Sequence, residues 1–78
     1  MKNATPEKVL ELLVQTGLCE NASEIDIDIT LMKQGLDSID FLQLYLAVEE
    51  EYGIKIPDSD MPALGSVTDI VNYTNAKN

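Results

Sequence analysis

One serine in this chain stands where a covalently attached phosphate would be electrostatically favoured. Ser38 lies within Gly35-Leu36-Asp37-Ser38-Ile39-Asp40, and the helical run that it opens continues to Glu49-Glu50-Glu51-Tyr52. Asp37 is the predicted N-cap, and Asp40, three residues on, has the spacing of a capping-box acid. A hydroxyl in the first turn of a helix sits beside the positive end of the helix dipole, which favours a phosphate ester there. The rest of the chain supplies nothing that would turn this hydroxyl into a nucleophile. It has no His, no Arg and no Trp, so a His-dependent triad, a His metal site and a bidentate Arg clamp are all absent. Ser38 therefore reads as a residue that is modified and presented to other proteins, with no catalytic residues and no metal ligands expected.

Other candidate chemistry falls away on spacing. Asp26-Ile27-Asp28-Ile29-Thr30 resembles the start of a calcium loop, but Leu31 occupies the position that requires glycine and no glutamate follows at the needed distance. Cys19 is the only cysteine, which rules out an internal disulfide or a multi-cysteine zinc cluster and leaves it as a small apolar residue. A lone cysteine suits a reducing compartment.

Fourteen acidic residues against five basic ones give a formal net charge of -9. That balance opposes nucleic acid and anionic membranes as partners and favours basic protein surfaces. Self-repulsion of this kind is expected to ease as salt or divalent cations are added. No apolar run is long enough to span a membrane, and Met1-Lys2-Asn3-Ala4-Thr5-Pro6 lacks the hydrophobic region of a secretory signal, so a cytoplasmic protein without membrane insertion is expected. A chain of 78 residues is read as one domain spanning 1-78. At that size about 60% of the unfolded surface is buried, which leaves little room for an enclosed active site.

The elements that must position Ser38 are helical. Thr5 as N-cap, Pro6 at the first helical position and Gly17 as a stop predict a helix over about 5-16, with Val9, Leu10, Leu12 and Leu13 inward. Between Leu18 and Gly35, Ile25, Ile27 and Ile29 alternate with acids, but a lone strand has no partner. An extended loop that pins alternate isoleucines onto the core is expected. The second helix is predicted over 38-52, stopped by Gly53, with Phe41, Leu44, Tyr45, Val48 and Tyr52 as its core stripe. Ile39, Leu42 and Leu46 form a second, narrower apolar row rimmed by Asp40, Gln43, Glu49 and Glu50. Pro57 and Pro62 permit only a short helix over 58-63. Ser66 and Asp69 have capping-box spacing for a last helix over about 66-75, with Asn75 to Asn78 as a frayed tail. The fold class is thus all-α: a small four-helix bundle with a long first loop and a short third helix.

With these residues in place, the chain resembles the acyl carrier proteins, small four-helix domains modified by phosphopantetheine. The resemblance spans nearly the whole chain. Its most specific part is Gly35-Leu36-Asp37-Ser38-Ile39, supported by Ala47-Val48-Glu49-Glu50-Glu51-Tyr52 and Ile54-Lys55-Ile56-Pro57-Asp58 at family spacing. The resemblance implies that Ser38 receives 4'-phosphopantetheine from coenzyme A through a separate, magnesium-using phosphopantetheinyl transferase, which Asp37 helps to engage. It implies a non-catalytic carrier of acyl thioesters that serves fatty-acid or polyketide-type enzymes. It further implies that the face carrying Asp40, Leu42, Gln43, Leu46, Glu49 and Glu50 docks on basic, partly apolar patches of acyl-loading and chain-elongating enzymes. A monomer is expected. Leu44, Ile56 and Leu64 are the candidate walls of an acyl shelter between the second and third helices.

Several positions depart from the family pattern. Gln43 replaces a frequent acid, Ile39 replaces leucine, and Pro62 is atypical of the third helix. Leu31 to Ser38 is closer to polyketide-type carriers, whereas Glu49 to Asp58 is closer to bacterial fatty-acid carriers. These departures suggest a discrete, specialised secondary carrier. The alternatives are an aminoacyl or peptidyl carrier and an unmodified acidic helical interaction domain.

Overall fold

The computed structural model describes residues 3–77. Three α-helices and three 3-10 helices follow one another in this span: α1 (Pro6–Gln15), η1 (Ala22–Glu24), η2 (Leu31–Gln34), α2 (Ser38–Tyr52), η3 (Asp58–Ala63) and α3 (Val67–Lys77). No strand occurs among the described residues. The three α-helices and η3 form the expected small all-α bundle.

Each main helix begins where local chemistry dictates. The Thr5 side chain accepts a hydrogen bond from the Lys8 N–H at 3.2 Å, and Pro6 takes the first position, whose N–H would have had no helical partner. Ser66 and Asp69 form a reciprocal box: the Asp69 N–H donates to Ser66 Oγ at 3.1 Å and the Ser66 N–H donates to Asp69 Oδ2 at 3.3 Å. Gly53 ends α2 in the left-handed region at φ 66°, a conformation open to glycine at little cost.

The apolar faces of these helices meet in one core. Val9, Leu12 and Leu13 of α1, Phe41, Leu44, Tyr45 and Val48 of α2, and Val67, Ile70 and Val71 of α3 are buried there together with Leu31, Leu36, Ile56 and Leu64. On the surface above it, Lys8 lies 3.5 Å from Glu11 and 3.7 Å from Glu51, so one cation bridges α1 and α2. Exposed pairs of this kind contribute only about 0–1 kcal/mol, and the core carries the fold.

The long first loop departs from the simple extended form. Ile25 and Ile27 pack partly against the core, but Ile29 is 44% exposed. A turn breaks the alternation: the Asp28 N–H donates to Asp26 Oδ1 at 2.9 Å, and the Gln34 side chain donates to the carbonyls of Asp26 and Ile29, both at 2.9 Å, while accepting from the Asp26 N–H at 2.8 Å. The residue that plugs the core in place of Ile29 is Leu31, fully buried, whose N–H donates to the Gly65 carbonyl at 2.7 Å. A further tie joins the loop to α3, where the Thr68 N–H reaches the Ile27 carbonyl at 3.0 Å.

The carboxyl-terminal end also differs from the frayed tail expected from Asn75 onward. The α3 helix continues to Lys77, and Asn75 holds Ala4 with two bonds, accepting from the Ala4 N–H at 2.7 Å and donating to its carbonyl at 3.1 Å. This pair closes the chain across 71 positions, beyond the reach of local pattern reading. Asn78 lies outside the described residues.

Two tyrosine hydroxyls fasten the short helix η3. Tyr45 Oη donates to the carbonyls of Met61 and Leu64 at 3.2 and 3.1 Å, and Tyr73 Oη donates to Asp60 Oδ2 at 2.6 Å. Burial pushes the Tyr45 hydroxyl above its ordinary pKa. The hydrogen bond to Asp60, with smaller contributions from burial and from the charges of Asp60 and Glu49, raises Tyr73 from 10.0 to about 12.

Both sets of ties are open to measurement. Replacing Gln34 by Ala removes three hydrogen bonds from the loop; we expect urea unfolding to show a loss of about 1–3 kcal/mol and faster hydrogen exchange at the Asp26 amide. Unchanged exchange there would show that Gln34 does not hold the turn. For Tyr73 the fold favours the protonated form, so its contribution is complete below the unfolded value of 10.0 and is lost as pH rises through about 12. Tyrosinate absorbance should show a component titrating near 12 that is missing from Tyr73→Phe; ionisation of Tyr73 at the ordinary tyrosine pH would contradict the assigned bond.

Candidate functional site

The approach to Ser38 is built by η2. This helix ends at Gly35, which adopts φ 104°, a left-handed conformation that would strain any side chain. The turn carries the buried Leu36 into the core and delivers Asp37 to the mouth of α2. Asp37 Oδ1 accepts hydrogen bonds from the N–H groups of Ile39 and Asp40 at 3.1 and 3.0 Å, and Asp40 Oδ2 accepts from the Asp37 N–H at 3.1 Å. The expected capping box is therefore formed, and both acids act locally to fix the first turn.

Ser38 is the first residue of α2 and is exposed. Both neighbouring acids are engaged in the cap, which leaves the serine side chain projecting from a rigid turn. That arrangement fits a covalent phosphate ester: an accessible hydroxyl, a fixed backbone beneath it and a helix amino terminus behind it.

Beside Ser38 opens a cavity of about 480 Å³. It is lined by Ser38, Phe41, Leu42 and Tyr45 of α2 and by Asp58, Met61 and Pro62 of η3, with Thr30, Met32 and Gly65 completing the lining. Phe41 and Tyr45 stack with ring centroids 5.7 Å apart and planes at 30°, giving the α2 wall a continuous aromatic surface. Leu44, Ile56 and Leu64, the walls expected from sequence, are sealed in the core and do not line this space. They stand one layer behind it. Their neighbours Tyr45 and Met61 face it, and Thr30 and Met32 reach it from a loop whose path no local pattern specifies.

The second apolar row of α2 lies in water. Ile39 is 65%, Leu42 51% and Leu46 57% exposed, so these residues are not additional core contacts. Met32, in η2, is 64% exposed and adds to the exposed apolar surface, a contribution that no periodic pattern in the sequence marks. Gln43 and Glu50 are exposed, whereas Asp40 and Glu49 are half-buried. Glu49 also has a structural role, since its Oε2 accepts from the Ile56 N–H at 2.7 Å and ties the segment after α2 back to the helix. The acidic rim is thus part structural brace and part free charge.

Other chemistry finds no support among the described residues. No group of three or more His, Cys, Asp or Glu side chains could hold a metal ion there. Asp26 and Asp28 serve the loop, with the Thr68 hydroxyl donating to Asp28 Oδ1 at 2.9 Å. Cys19 is half-buried, and burial together with the nearby Glu24 charge pushes its thiol pKa up. No helix among the described residues is long and apolar enough to cross a membrane.

Known proteins are similar to this chain in sequence. The phosphopantetheine attachment site family matches residues 7–74. An acyl carrier protein of Clostridium acetobutylicum is 38% identical over 72 residues, covering 90% of this chain and 91% of that protein. An acyl carrier protein of Zymomonas mobilis is 36% identical over 75 residues, covering 88% of each chain. One from Campylobacter hominis is 40% identical over 68 residues, covering 86% of this chain and 85% of that protein. The family match runs from the first turn of α1 to the buried Thr74 of α3, through the capped serine turn and both walls of the cavity. The chain belongs to the acyl carrier protein family, and its cofactor is covalently attached 4'-phosphopantetheine.

Proposed function

We propose that Ser38 is the attachment residue and that the protein is a carrier of acyl intermediates, passing them between enzymes of a fatty-acid or polyketide-type pathway in the cytoplasm. The observation that carries this reading is the exposed serine at the first position of α2, held in a closed Asp37–Asp40 cap beside an apolar cavity. The group bound there supplies a thiol at the end of a flexible arm, on which cargo is held as a thioester. Asp37 and Asp40 keep the attachment turn rigid, so the transferase meets one geometry. Phe41, Tyr45, Met61 and Pro62 offer an apolar surface that would shield a hydrocarbon tail from water. No group on the chain is asked to transfer a proton or attack cargo, which suits a carrier whose partners do the chemistry.

Partner docking is assigned to the exposed row of α2. Ile39, Leu42 and Leu46 supply the central contacts, and Asp40, Gln43, Glu49 and Glu50 lie around them. A partner with basic residues around an apolar patch is complementary to this face. Charges at such a rim chiefly speed and orient encounter, while apolar contacts set how long the complex lasts. The net charge of -9 makes the encounter salt-dependent. Since Glu49 also braces Ile56, removing its charge would disturb the fold as well as the rim.

Two experiments test these assignments. Intact-protein mass is measured after incubation with coenzyme A, magnesium and a broad-specificity phosphopantetheinyl transferase. One phosphopantetheine is expected on the parent and none on Ser38→Ala, whereas folded parent that stays unmodified with several transferases would favour an acidic helical interaction domain. For docking, Leu42→Ala should reduce turnover of the acylated carrier by a chain-elongating enzyme about fivefold to thirtyfold, the effect of truncating one apolar contact at an interface. It should leave melting nearly unchanged, because the side chain is exposed in the free protein. Wild-type turnover at both low and high salt would place the docking surface elsewhere.

A further inference from the structure

We propose that Tyr73 is a positioning residue for cargo: by holding Asp60 it fixes η3 as the outer wall of the cavity beside Ser38, and so sets the chain length that the cavity shelters. This rests on the carrier reading, and it assigns a role to a residue that neither borders the cavity nor lies on the docking face.

Apart from partial packing of Met61 against the core, two tyrosine hydroxyls hold η3 in place. None of its six residues, Asp58–Ala63, is buried, and Pro62 within it lacks an N–H. A 3-10 helix of this kind has poor hydrogen-bond geometry and little intrinsic stability. Yet Asp58, Met61 and Pro62 make one whole side of the cavity. The wall is therefore placed from outside by two hydroxyls from different helices. Tyr45 of α2 donates to the Met61 and Leu64 carbonyls and anchors the carboxyl-terminal end of η3 from within. Tyr73 of α3 donates to Asp60 at 2.6 Å and anchors its middle from the far side.

The two anchors differ in what they can permit. Tyr45 is itself part of the opposite wall and is 5% exposed, so it cannot move without disturbing the core. Tyr73 is only half-buried, with the Lys77 ammonium 5.4 Å from its ring centroid, and its bond can open while the core stays closed. Opening it frees Asp60 and lets the amino-terminal part of η3, with Asp58 of the cavity wall, swing outward, while Tyr45 keeps Met61 and Leu64 in place as the hinge. Cargo too long for the closed cavity needs that movement, and shorter cargo does not. The strength of the Tyr73–Asp60 bond thereby acts on chain length without any contact to the chain.

The test uses Tyr73→Phe, which keeps the ring and its packing and removes only the donor. In the unmodified protein the Asp60 amide donates to the Pro57 carbonyl and reports on the freed end of η3, while the Leu64 amide donates to the Met61 carbonyl at the end held by Tyr45. Hydrogen exchange at Asp60 should rise about tenfold in the variant, as for loss of a hydrogen bond to a charged group, with the Leu64 amide and amides of α2 unchanged. Asp60→Asn keeps an acceptor oxygen but loses the charge and should fall between the parent and Tyr73→Phe, whereas Asp60→Ala should match Tyr73→Phe. The second readout is the rate at which neutral hydroxylamine cleaves a series of saturated acyl thioesters of increasing length on the modified protein. The parent should show protection that peaks at one length, and Tyr73→Phe should move that peak to longer chains. Unchanged Asp60 exchange in folded Tyr73→Phe overturns the proposal without touching the carrier reading. A parent that protects no chain length overturns the shelter itself, and an equal loss of protection at every length would make Tyr73 merely structural and overturn its role in selection.

Discussion

The Leu31 N–H and the Gly65 carbonyl meet at 2.7 Å where the first loop crosses the entrance to α3, and the geometry around Ser38 is set from that crossing. On one side the bond fixes the start of η2, which four residues later turns at Gly35 and opens directly into the Asp37 cap. On the other it fixes the link between η3 and the Ser66 cap. Both walls of the cavity are thus referred to one backbone contact. The approach is so close that a Cβ on Gly65 would lie 3.2 Å from Thr30 Cγ2, tighter than ordinary van der Waals contact. Thr30 and Gly65 themselves line the cavity, so this crowded crossing forms part of its wall.

The second helix divides its apolar residues between two roles. Phe41, Leu44, Tyr45 and Val48 are buried, and Ile39, Leu42 and Leu46 are left in water on another face. A helix with apolar residues on two sides would ordinarily be buried on both. Here the cap at its start, the Glu49 brace near its end and the core stripe hold it firmly enough that the outer row stays free. The same helix therefore carries Ser38 on its first turn, supplies one wall of the cavity and leaves an apolar row exposed.

Much of this was legible from the residues because helix boundaries depend on neighbours. Thr5 with Pro6, Asp37 with Asp40, and Ser66 with Asp69 act within a few residues of one another, and each forms the predicted cap. Period alone separated the core stripe of α2 from its outer row. What escaped was settled by long-range partners. Ile29 follows a turn tied by Gln34, Leu31 takes the core position because Gly65 receives its N–H, and Asn75 is ordered by Ala4 at the opposite end of the chain. Leu44, Ile56 and Leu64, the shelter walls expected from sequence, lie in the core, while the open cavity beside Ser38 is lined by mixed residues such as Thr30, Tyr45 and Met61, whose meeting depends on long-range packing.

Cys19 gives the protein a second thiol besides the one at the end of its cofactor arm, and its half-buried setting bears on how that thiol reacts. Acyl exchange between sulfurs requires a thiolate to attack. Burial and the negative charge of Glu24 both hold Cys19 in its protonated form. The polypeptide's own thiol is thereby kept in its less nucleophilic form, a consequence of burial and one neighbouring carboxylate.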